Sequence, residues 1–371
     1  MIMEKETLQN TAPDVEKKID DEILRLLSER EKIVMNAGSS GSSGSTEEER
    51  RRAAEKYGLS QHMVSGLFRL IAENDASLRQ YSLFRRASEG KSEIPASFLG
   101  PMGTYSSEAL VMMEEKCAVK FSPVSCSSFR EIVDNVESGI TAAGFLPMEN
   151  SNSGSINDVL VLLRTGKVMI TGEVHVPINH SLLVTEGADE STITDIYSHY
   201  QPFEQCSRYL AARLPKARHH FCSSTAAAME EVAKLGSPHA AALGGERGGR
   251  FYGLHAAARS LANNPNNFTR FLMIGPSEVR VPAGVQAKTT MIFTIDNVPG
   301  ALVKVLLALS ERRINMIKLQ SRPIPERLFE EFFYVDMMAD INSAAMQEAL
   351  GESRKLTLDY KVLGSYPADV E

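Results

Sequence analysis

The chain has 371 residues, 43% hydrophobic and 23% charged, which is the composition of a water-soluble protein with more than one core. Its net charge of −7, from 47 acidic and 40 basic residues, excludes a generally cationic surface for nucleic acid or anionic membrane. With no Trp, a substrate pocket cannot depend on indole stacking.

Cys117, Cys126, Cys206 and Cys222 show no CxxC spacing and form no zinc pattern with the eight histidines, so they read as free thiols of a reducing compartment. The charged N-terminus lacks an apolar signal region and no apolar run reaches membrane-spanning length; the expected location is the cytoplasm.

From Val15 to Met35, residues Ile19, Ile23, Leu26, Leu27 and Val34 recur at three- and four-residue steps, which predicts an amphipathic helix. The pattern stops at AGSSGSSGST, residues 37–46, a flexible linker by composition. Helical character resumes in EEERRRAAEKYG and again from Ser60 to Arg85, where Met63, Leu67, Leu70 and Ile71 share a face. The polar stretch RRASEGKSE, 85–93, marks a domain boundary.

From Ile94 to Gly275 strands and helices alternate. ASFLG, AAGFLPM, VMITGEV, SLLVTEG, TDIYSH and HAAALGG read as strands. SSEALVMMEEK, INDVLVLLRTG, FEQCSRYLAARL and TAAAMEEVAKLG read as helices. This predicts an α/β domain with largely parallel sheets, in two small lobes with a cleft between them. From Lys288 to Pro367, TTMIFTI, ALVKVLLALSERR, MIKLQSRP, FEEFFYVDMMA, SAAMQEALGESRKL and DYKVLGSYP give βαββαβ, the order of a ferredoxin-like unit.

Four strand-to-helix junctions of the middle region carry Ser, Thr, Asn, Gln or Gly: GPMGTYSS (100–107), ENSNSGSIND (149–158), SHYQPFEQC (198–206) and CSSTAAAM (222–229). Helix starts with such residues attract anions through N–H groups that lack partners within the helix. In open α/β sheets ligands lie beyond the carboxyl ends of the strands, where these junctions fall. For any one junction ordinary helix capping is favoured over ligand binding by about three to one. Four together indicate a small polyanion site without naming a reaction.

Other chemistries lack their signatures: there is no GxSxG, P-loop, dinucleotide fingerprint or HExxH. ALGGERGGRFYG (242–253) reads as a turn with close packing, His219 and His220 as a solvated pair, and Cys206 as a small buried thiol.

The string FTRF (268–271), with FLGPMGTYS, LPMENSNSGSIND, YSHYQPFEQC, SSTAAAM and ALGGERGGRFYGL in this order, resembles the prephenate dehydratases over 95–275. The resemblance implies a two-lobed domain like that of periplasmic binding proteins, and loss of water and CO₂ from prephenate to give phenylpyruvate in phenylalanine biosynthesis. It implies no metal or organic cofactor. Prephenate is a dicarboxylate whose ring becomes aromatic as hydroxide leaves, so the protein must hold two carboxylates and assist that departure. By resemblance Thr269 donates to the departing hydroxyl, and Arg270 positions substrate or couples to a regulatory unit. Asn150, Ser198, Gln205, Ser224, Thr225 and Thr104 fall in the substrate-contacting strings. Glu149 reads either as a structural carboxylate or as one that orients Asn150.

The C-terminal unit, 286–367, resembles the ACT domain through which this family is inhibited by phenylalanine. PGALV (299–303), with Gly300, Ala301 and Leu302, and QSRP (320–323), with Gln320, Ser321 and Arg322, match its effector strings. The family usually has Glu where this chain has Gln320, a difference of one charge at the effector site. Units of this kind pair, which implies a homodimer or homotetramer.

The segment 1–88 resembles the helical chorismate mutase domain fused to this dehydratase in many bacteria, with Arg30 in KIDDEILRLLSERE matching a substrate arginine. Pro13 stands where an earlier Arg is expected, and the remaining cations fall in or beside the Gly/Ser run, so the segment is expected to lack mutase activity. Two further readings remain at this point, a bifunctional mutase–dehydratase and a non-catalytic small-anion binder.

Overall fold

The computed structural model describes residues 3–37, 45–87, 93–117, 119–281, 285–324, 327 and 330–369. Most of the Gly/Ser run lies outside them. Three helices come first: α1 (Met3–Ala37), α2 (Glu47–Tyr57) and α3 (Gln61–Ala87). A capping box starts α2. Thr46 Oγ1 accepts from Glu49 N at 3.3 Å while the Glu49 carboxylate accepts from Thr46 N at 2.7 Å. Gly58, at φ 65, ends the helix in the left-handed conformation that favours glycine.

The helix α1 packs along α3, with Val34, Val64, Ala72 and Leu78 buried. The faces read from the sequence are used only in part: Ile19, Ile23, Leu26, Met63, Leu67 and Leu70 are exposed. A single pair of helices has no second layer to cover a stripe of that width.

Two sheets follow. In chain order the elements are β1 (Ile94–Leu99), α4 (Tyr105–Cys117), β2 (Phe121–Cys126), α5 (Phe129–Glu137), β3 (Ala143–Asn150), β4 (Gly154–Ser155), α6 (Asn157–Thr165) and β5 (Met169–Pro177). Then come β6 (Ser181–Val184), β7 (Asp195–Ser198), α7 (Tyr200–Gln205), α8 (Ser207–Arg213), β8 (Arg218–Phe221), α9 (Thr225–Leu235), β9 (Ala240–Gly244), α10 (Glu246–Phe251), β10 (His255–Ala258) and β11 (Phe268–Gly275). The first sheet has the order β2-β1-β3-β11-β5 with β4 beside β3, and the second β10-β6-β9-β7-β8. The chain crosses from the first sheet to the second after β5 and returns through β11.

The expectation of largely parallel sheets is corrected. β1 is parallel to β2 and β3, and β7 to β8 and β9, but β11 is antiparallel to both β3 and β5, and β6 to both β9 and β10. Parallel pairing needs a crossover connection, and β11 arrives from the other sheet without one.

Other differences are local. β2 and α5 are additions to the sequence reading; β2 is an edge strand, where Pro123 is tolerated, and α5 starts on Ser128, whose hydroxyl accepts from Glu131 N at 3.2 Å. The helix expected through FEQCSRYLAARL divides at Cys206 into α7 and α8. ALGGERGGRFYG forms the end of β9 and the helix α10 instead of a turn. Its close packing is real: a Cβ on Gly248 would stand 2.3 Å from Gly103 O.

The last six elements, β12 (Ala287–Thr294), α11 (Ala301–Ser310), β13 (Met316–Pro323), β14 (Glu331–Met337), α12 (Ala344–Leu356) and β15 (Asp359–Pro367), form a sheet of order β13-β14-β12-β15 with every pairing antiparallel. That is the ferredoxin-like arrangement. One face packs Met291, Phe293 and Val335 against Val305 and Leu309 of α11 and Met346 of α12. The other face sends Ile292, Phe332, Tyr334, Leu363 and Tyr366 into one cluster with Leu146, Met148, Leu272 and Ile274 of the first sheet. The two sheets therefore share a core.

At that junction Gly364 lies so close to β5 that a Cβ would stand 2.2 Å from Ile170 O. Backbone cannot yield as a flexible side-chain tip can. Gly364→Ala is expected to lower stability by about 1–3 kcal/mol, read as a reduced urea midpoint with an unchanged slope.

Candidate active site

β3 and β11 run antiparallel, with Asn150 opposite Thr269 and Glu149 opposite Arg270. Successive residues of a strand face opposite sides, so these two pairs point in opposite directions.

The first pair is polar and tightly held. Asn150 Nδ2 donates to Thr269 Oγ1 at 3.0 Å, to Asn267 Oδ1 at 2.8 Å and to Phe268 O at 3.1 Å. Its Oδ1 accepts from Asn152 N, Ser153 N and Ser153 Oγ at 3.0–3.2 Å. An amide nitrogen has no acceptor capacity, so Thr269 Oγ1 accepts from it and keeps its own proton free. The result is a largely buried hydroxyl, 8% exposed, whose hydrogen is available to another acceptor.

The second pair faces the C-terminal sheet. Arg270 is 4% exposed and donates through Nε to Glu173 Oε2 at 2.7 Å and through Nη1 to Asp336 Oδ2 at 2.5 Å and Glu149 Oε1 at 3.2 Å. Its Nη2 donates to Tyr366 OH at 2.9 Å. Lys288 Nζ meets Glu173 Oε1 at 2.5 Å, and Lys318 Nζ pairs with Glu149 Oε2. Three cations and three carboxylates thus balance across the junction of the two sheets. The guanidinium points away from the Thr269 side and is spent on the C-terminal sheet and the strands beside it.

The same placement resolves Glu149, a carboxylate bound to Arg270 and Lys318 and adjacent in sequence to Asn150. Burial pushes its carboxyl up, but Lys318 and Arg270 outweigh that and hold it below the ordinary range. Asp336 follows the same balance, with burial opposed by Arg270 and by the 2.6 Å hydrogen bond from Thr290 Oγ1.

The remaining expected site residues lie at the ends of the parallel strands and the helix starts. Thr104 Oγ1 donates to Pro101 O at 3.0 Å and accepts from Ser107 N at 3.3 Å before α4. Ser224 caps α9, accepting from Ala227 N at 3.0 Å, and Thr225 opens that helix next to Gly244, whose Cβ would be 3.5 Å from Thr225 Cβ. The start of α4 also lies against the end of β9, because a Cβ on Gly245 would stand 3.3 Å from Tyr105 Cε1.

Two further side chains expected at the site have partners within the protein. Ser198 is fully buried and donates to Leu243 O at 2.6 Å, a tie between β7 and β9 that leaves no hydroxyl proton for a substrate. Gln205 Oε1 is engaged by His180 Nε2 at 2.7 Å, and His180 Nδ1 by Tyr105 OH at 3.0 Å. That chain crosses the connection between the two sheets, and burial holds His180 below its ordinary pKa, which keeps it neutral. The sequence reading missed both His180 and Tyr105; neither belongs to a pattern that spacing alone reveals.

His219 and His220 are not merely solvated. They stack on Phe203 and Tyr197, each at 4.4 Å between ring centroids, and His220 Nε2 lies 2.7 Å from Asp195 Oδ1. The four cysteines are thiols outside any disulfide, and burial pushes the Cys206 thiol up to about 12, far from a nucleophile. Among the described residues no three His, Cys, Asp or Glu side chains converge to hold a metal ion.

In the C-terminal unit Gly300, at φ 81, caps α11, Ala301 and Leu302 form its first turn, and Gln320, Ser321 and Arg322 lie on the edge strand β13. At the N-terminal end of the chain Arg30 Nη1 donates to Asp75 Oδ1 at 2.6 Å. A cavity of about 270 Å³ there is lined by Leu27, Arg30, Glu31, Leu67, Leu70, Ile71, Asn74 and Asp75, one cation against two carboxylates.

Residues 96–279, from β1 past the end of the Thr269 strand, match the family model described as prephenate dehydratase. Over 364 residues the chain is 38% identical to the bifunctional chorismate mutase/prephenate dehydratase of Escherichia coli (strain K12), covering 95% of this chain and 94% of that protein. The chain belongs to the family of bifunctional chorismate mutase/prephenate dehydratases. Among solved structures, the prephenate dehydratase of Arthrobacter aurescens in complex with L-Phe aligns with a TM-score of 0.66 at 27% identity, over 75% of this chain and 93% of that one. A protein described as a novel type of quorum quenching acylase, GqqA, aligns equally well, with a TM-score of 0.66 at 25% identity over 74% of this chain and 98% of that one.

Because Asp336 has a depressed pKa in the folded protein, its pairing stabilises fully above the unfolded value of about 4, and the contribution is lost as pH falls from there through the folded value. The stability gap between wild type and Asp336→Asn, measured by urea unfolding, should be widest near neutral pH and narrow below about pH 4.

Proposed function

We propose that this chain converts prephenate to phenylpyruvate with loss of water and CO₂, and that Thr269 is the group that assists hydroxide departure. The observation that carries the reading is the Asn150 Nδ2–Thr269 Oγ1 hydrogen bond of 3.0 Å, which leaves the threonine proton free to donate. A threonine hydroxyl is a weak acid, so its help grows as charge develops on the leaving oxygen and is a transition-state interaction. The two sheet units between residues 95 and 275 act as lobes of a cleft like that of periplasmic binding proteins. The starts of α4 and α9, at Thr104, Ser224 and Thr225, offer N–H groups to the two substrate carboxylates. Family membership supports the reaction, and the acceptor role of the Thr269 oxygen supports its place in it.

The C-terminal unit is read as an ACT domain that binds phenylalanine. The Arthrobacter aurescens relative was solved with L-Phe, and the β13 edge and α11 expose Ile317, Leu319, Val303 and Leu307, apolar side chains suited to pairing with a second copy. Phenylalanine would bind near Gly300 and Ser321 in a homodimer or homotetramer. A location in the cytoplasm fits a biosynthetic enzyme in which no described helix is long and apolar enough to cross a membrane.

The N-terminal helices are read as a mutase-like scaffold without mutase activity. The cavity beside Arg30 carries more negative than positive groups, and Asp75 already holds the guanidinium, so a dicarboxylate such as chorismate lacks electrostatic support there.

Thr269→Ala should stay folded and lose phenylpyruvate formation by roughly 10²-fold or more, while Thr269→Ser, which keeps a hydroxyl, should retain much more of it. Near-normal turnover of the alanine variant would remove Thr269 from the mechanism. The purified protein should show no conversion of chorismate to prephenate in a direct assay; measurable turnover would overturn the scaffold reading.

A further inference from the structure

Between the Asn150–Thr269 pair and the C-terminal sheet lies the short hairpin of β3 and β4, and its far side is gripped by β13. In this hairpin Glu149 is the cross-strand partner of Ser155, and Asn150 of Gly154. Lys318 Nζ pairs with Glu149 and donates to Ser155 Oγ at 3.0 Å. With its amide turned so that both of its ends are satisfied, Gln320 donates to the same Ser155 Oγ at 2.6 Å and accepts from Arg322 Nε at 3.1 Å. A carboxamide suits that position, because a carboxylate could not donate to Ser155.

The grip is two-sided. Lys318 is the cross-strand partner of Asp336 on β14, and Asp336 holds Arg270. A cross-strand pair of the first sheet, Glu149 with Arg270, is thus matched charge for charge by a cross-strand pair of the regulatory-side sheet, Lys318 with Asp336. Glu149 and Arg270 each sit one residue from the reacting pair, and Lys318 sits two residues from Gln320 in the effector string. Alternation along β13 turns Lys318 and Gln320 towards the hairpin, and Ile317 (48% exposed), Leu319 (41% exposed) and Ser321 outwards.

We infer that the grip of Lys318 and Gln320 on Glu149 and Ser155 is the route by which a ligand on the outward side of β13 sets the position of the Asn150 amide and so the reactivity of Thr269. This rests on the reading of Asn150 and Thr269 as the reacting pair and of β13 as an effector strand. A strand is stiff over three residues, so a ligand that displaces Ser321 displaces Lys318 and Gln320 with it. The hairpin must follow, because part-buried charges left without partners are costly. Asn150 turns the hairpin through its own Oδ1 contacts, so a shift of Ser155 reaches the amide that faces Thr269.

The test uses the full chain, with phenylalanine binding measured by calorimetry and phenylpyruvate formation measured with and without phenylalanine. Lys318→Met should bind phenylalanine to within about threefold of wild type, below the roughly fivefold at which allosteric coupling typically begins, and its own turnover without phenylalanine is the reference for its inhibition. Its inhibition at saturating phenylalanine should be lost. Lys318→Arg should restore inhibition. Lys361→Met cuts a different contact between the same two units, Lys361 Nζ to Leu163 O at 2.8 Å, and should keep inhibition. Ser155→Ala serves if Lys318→Met does not fold, and should weaken inhibition with binding intact.

Full inhibition in Lys318→Met, or in Ser155→Ala where that variant serves, overturns the inference, as does equal loss in Lys318→Met and Lys361→Met, which would mean general loosening. Failure of the underlying readings looks different: wild type would bind no phenylalanine, or Thr269→Ala would remain active.

Discussion

A guanidinium at 4% exposure has to be neutralised where it stands, and Arg270 organises the centre of the molecule for that reason. Its partners come from three places in the chain: Glu149 on β3, Glu173 on β5, and Asp336 with Tyr366 on the C-terminal sheet. None can be withdrawn without leaving a charge or a donor unpaired in a low-dielectric setting. The shared apolar core around Leu146, Ile274, Tyr334 and Leu363 gives the two sheets adhesion, which is non-directional. The ion network gives that adhesion a register. Because Arg270 follows Thr269 in one strand, whatever fixes the register of the C-terminal sheet also fixes the strand that carries the candidate acid.

The parts of this arrangement that were legible in the sequence are those encoded locally. The βαββαβ order, the helices with three- and four-residue periodicity and the strings around Asn150 and Thr269 are each contained in a short stretch of chain. The helix α5 was also within reach, since Ser128 and Glu131 make a start signal ahead of Ile132, Val133 and Val136. The long-range part was not legible. Lys318 lies 169 positions from Glu149, and Asp336 lies 66 from Arg270, so no window contains both partners. Nor does the string around Ser198 reveal that its hydroxyl donates to a neighbouring strand. The antiparallel entry of β11 escaped notice because alternation of elements reports on composition along the chain, not on the direction from which a strand returns.

A fold of this shape does not by itself select a reaction. The same architecture, at the same TM-score, belongs to a protein described as a quorum quenching acylase and to a prephenate dehydratase. A reaction has to be argued from chemical detail within a few ångströms, such as the Thr269 hydroxyl that accepts from the Asn150 amide. The N-terminal helices make the same point in reverse. Their matching string persists, while the cavity beside Arg30 is lined by one cation and two carboxylates.

One irregularity of β3 has a consequence for how this site can change. Arg270 pairs with Glu149 but the next residue, Phe271, pairs with Pro147, so Met148 is an extra residue in the strand. Met148 packs in the core shared with the C-terminal sheet, and the extra step reverses the odd–even rule of the strand beyond it. Only after that reversal does the carboxylate of Glu149 turn to the C-terminal sheet and the amide of Asn150 to the other side. Exchanging two adjacent amino acids could not reproduce this, since it would move the chemistry without moving the parity. The site is therefore more exposed to insertions and deletions in β3 than to substitutions, and the length of that strand is as much a part of its function as the identity of its last two residues.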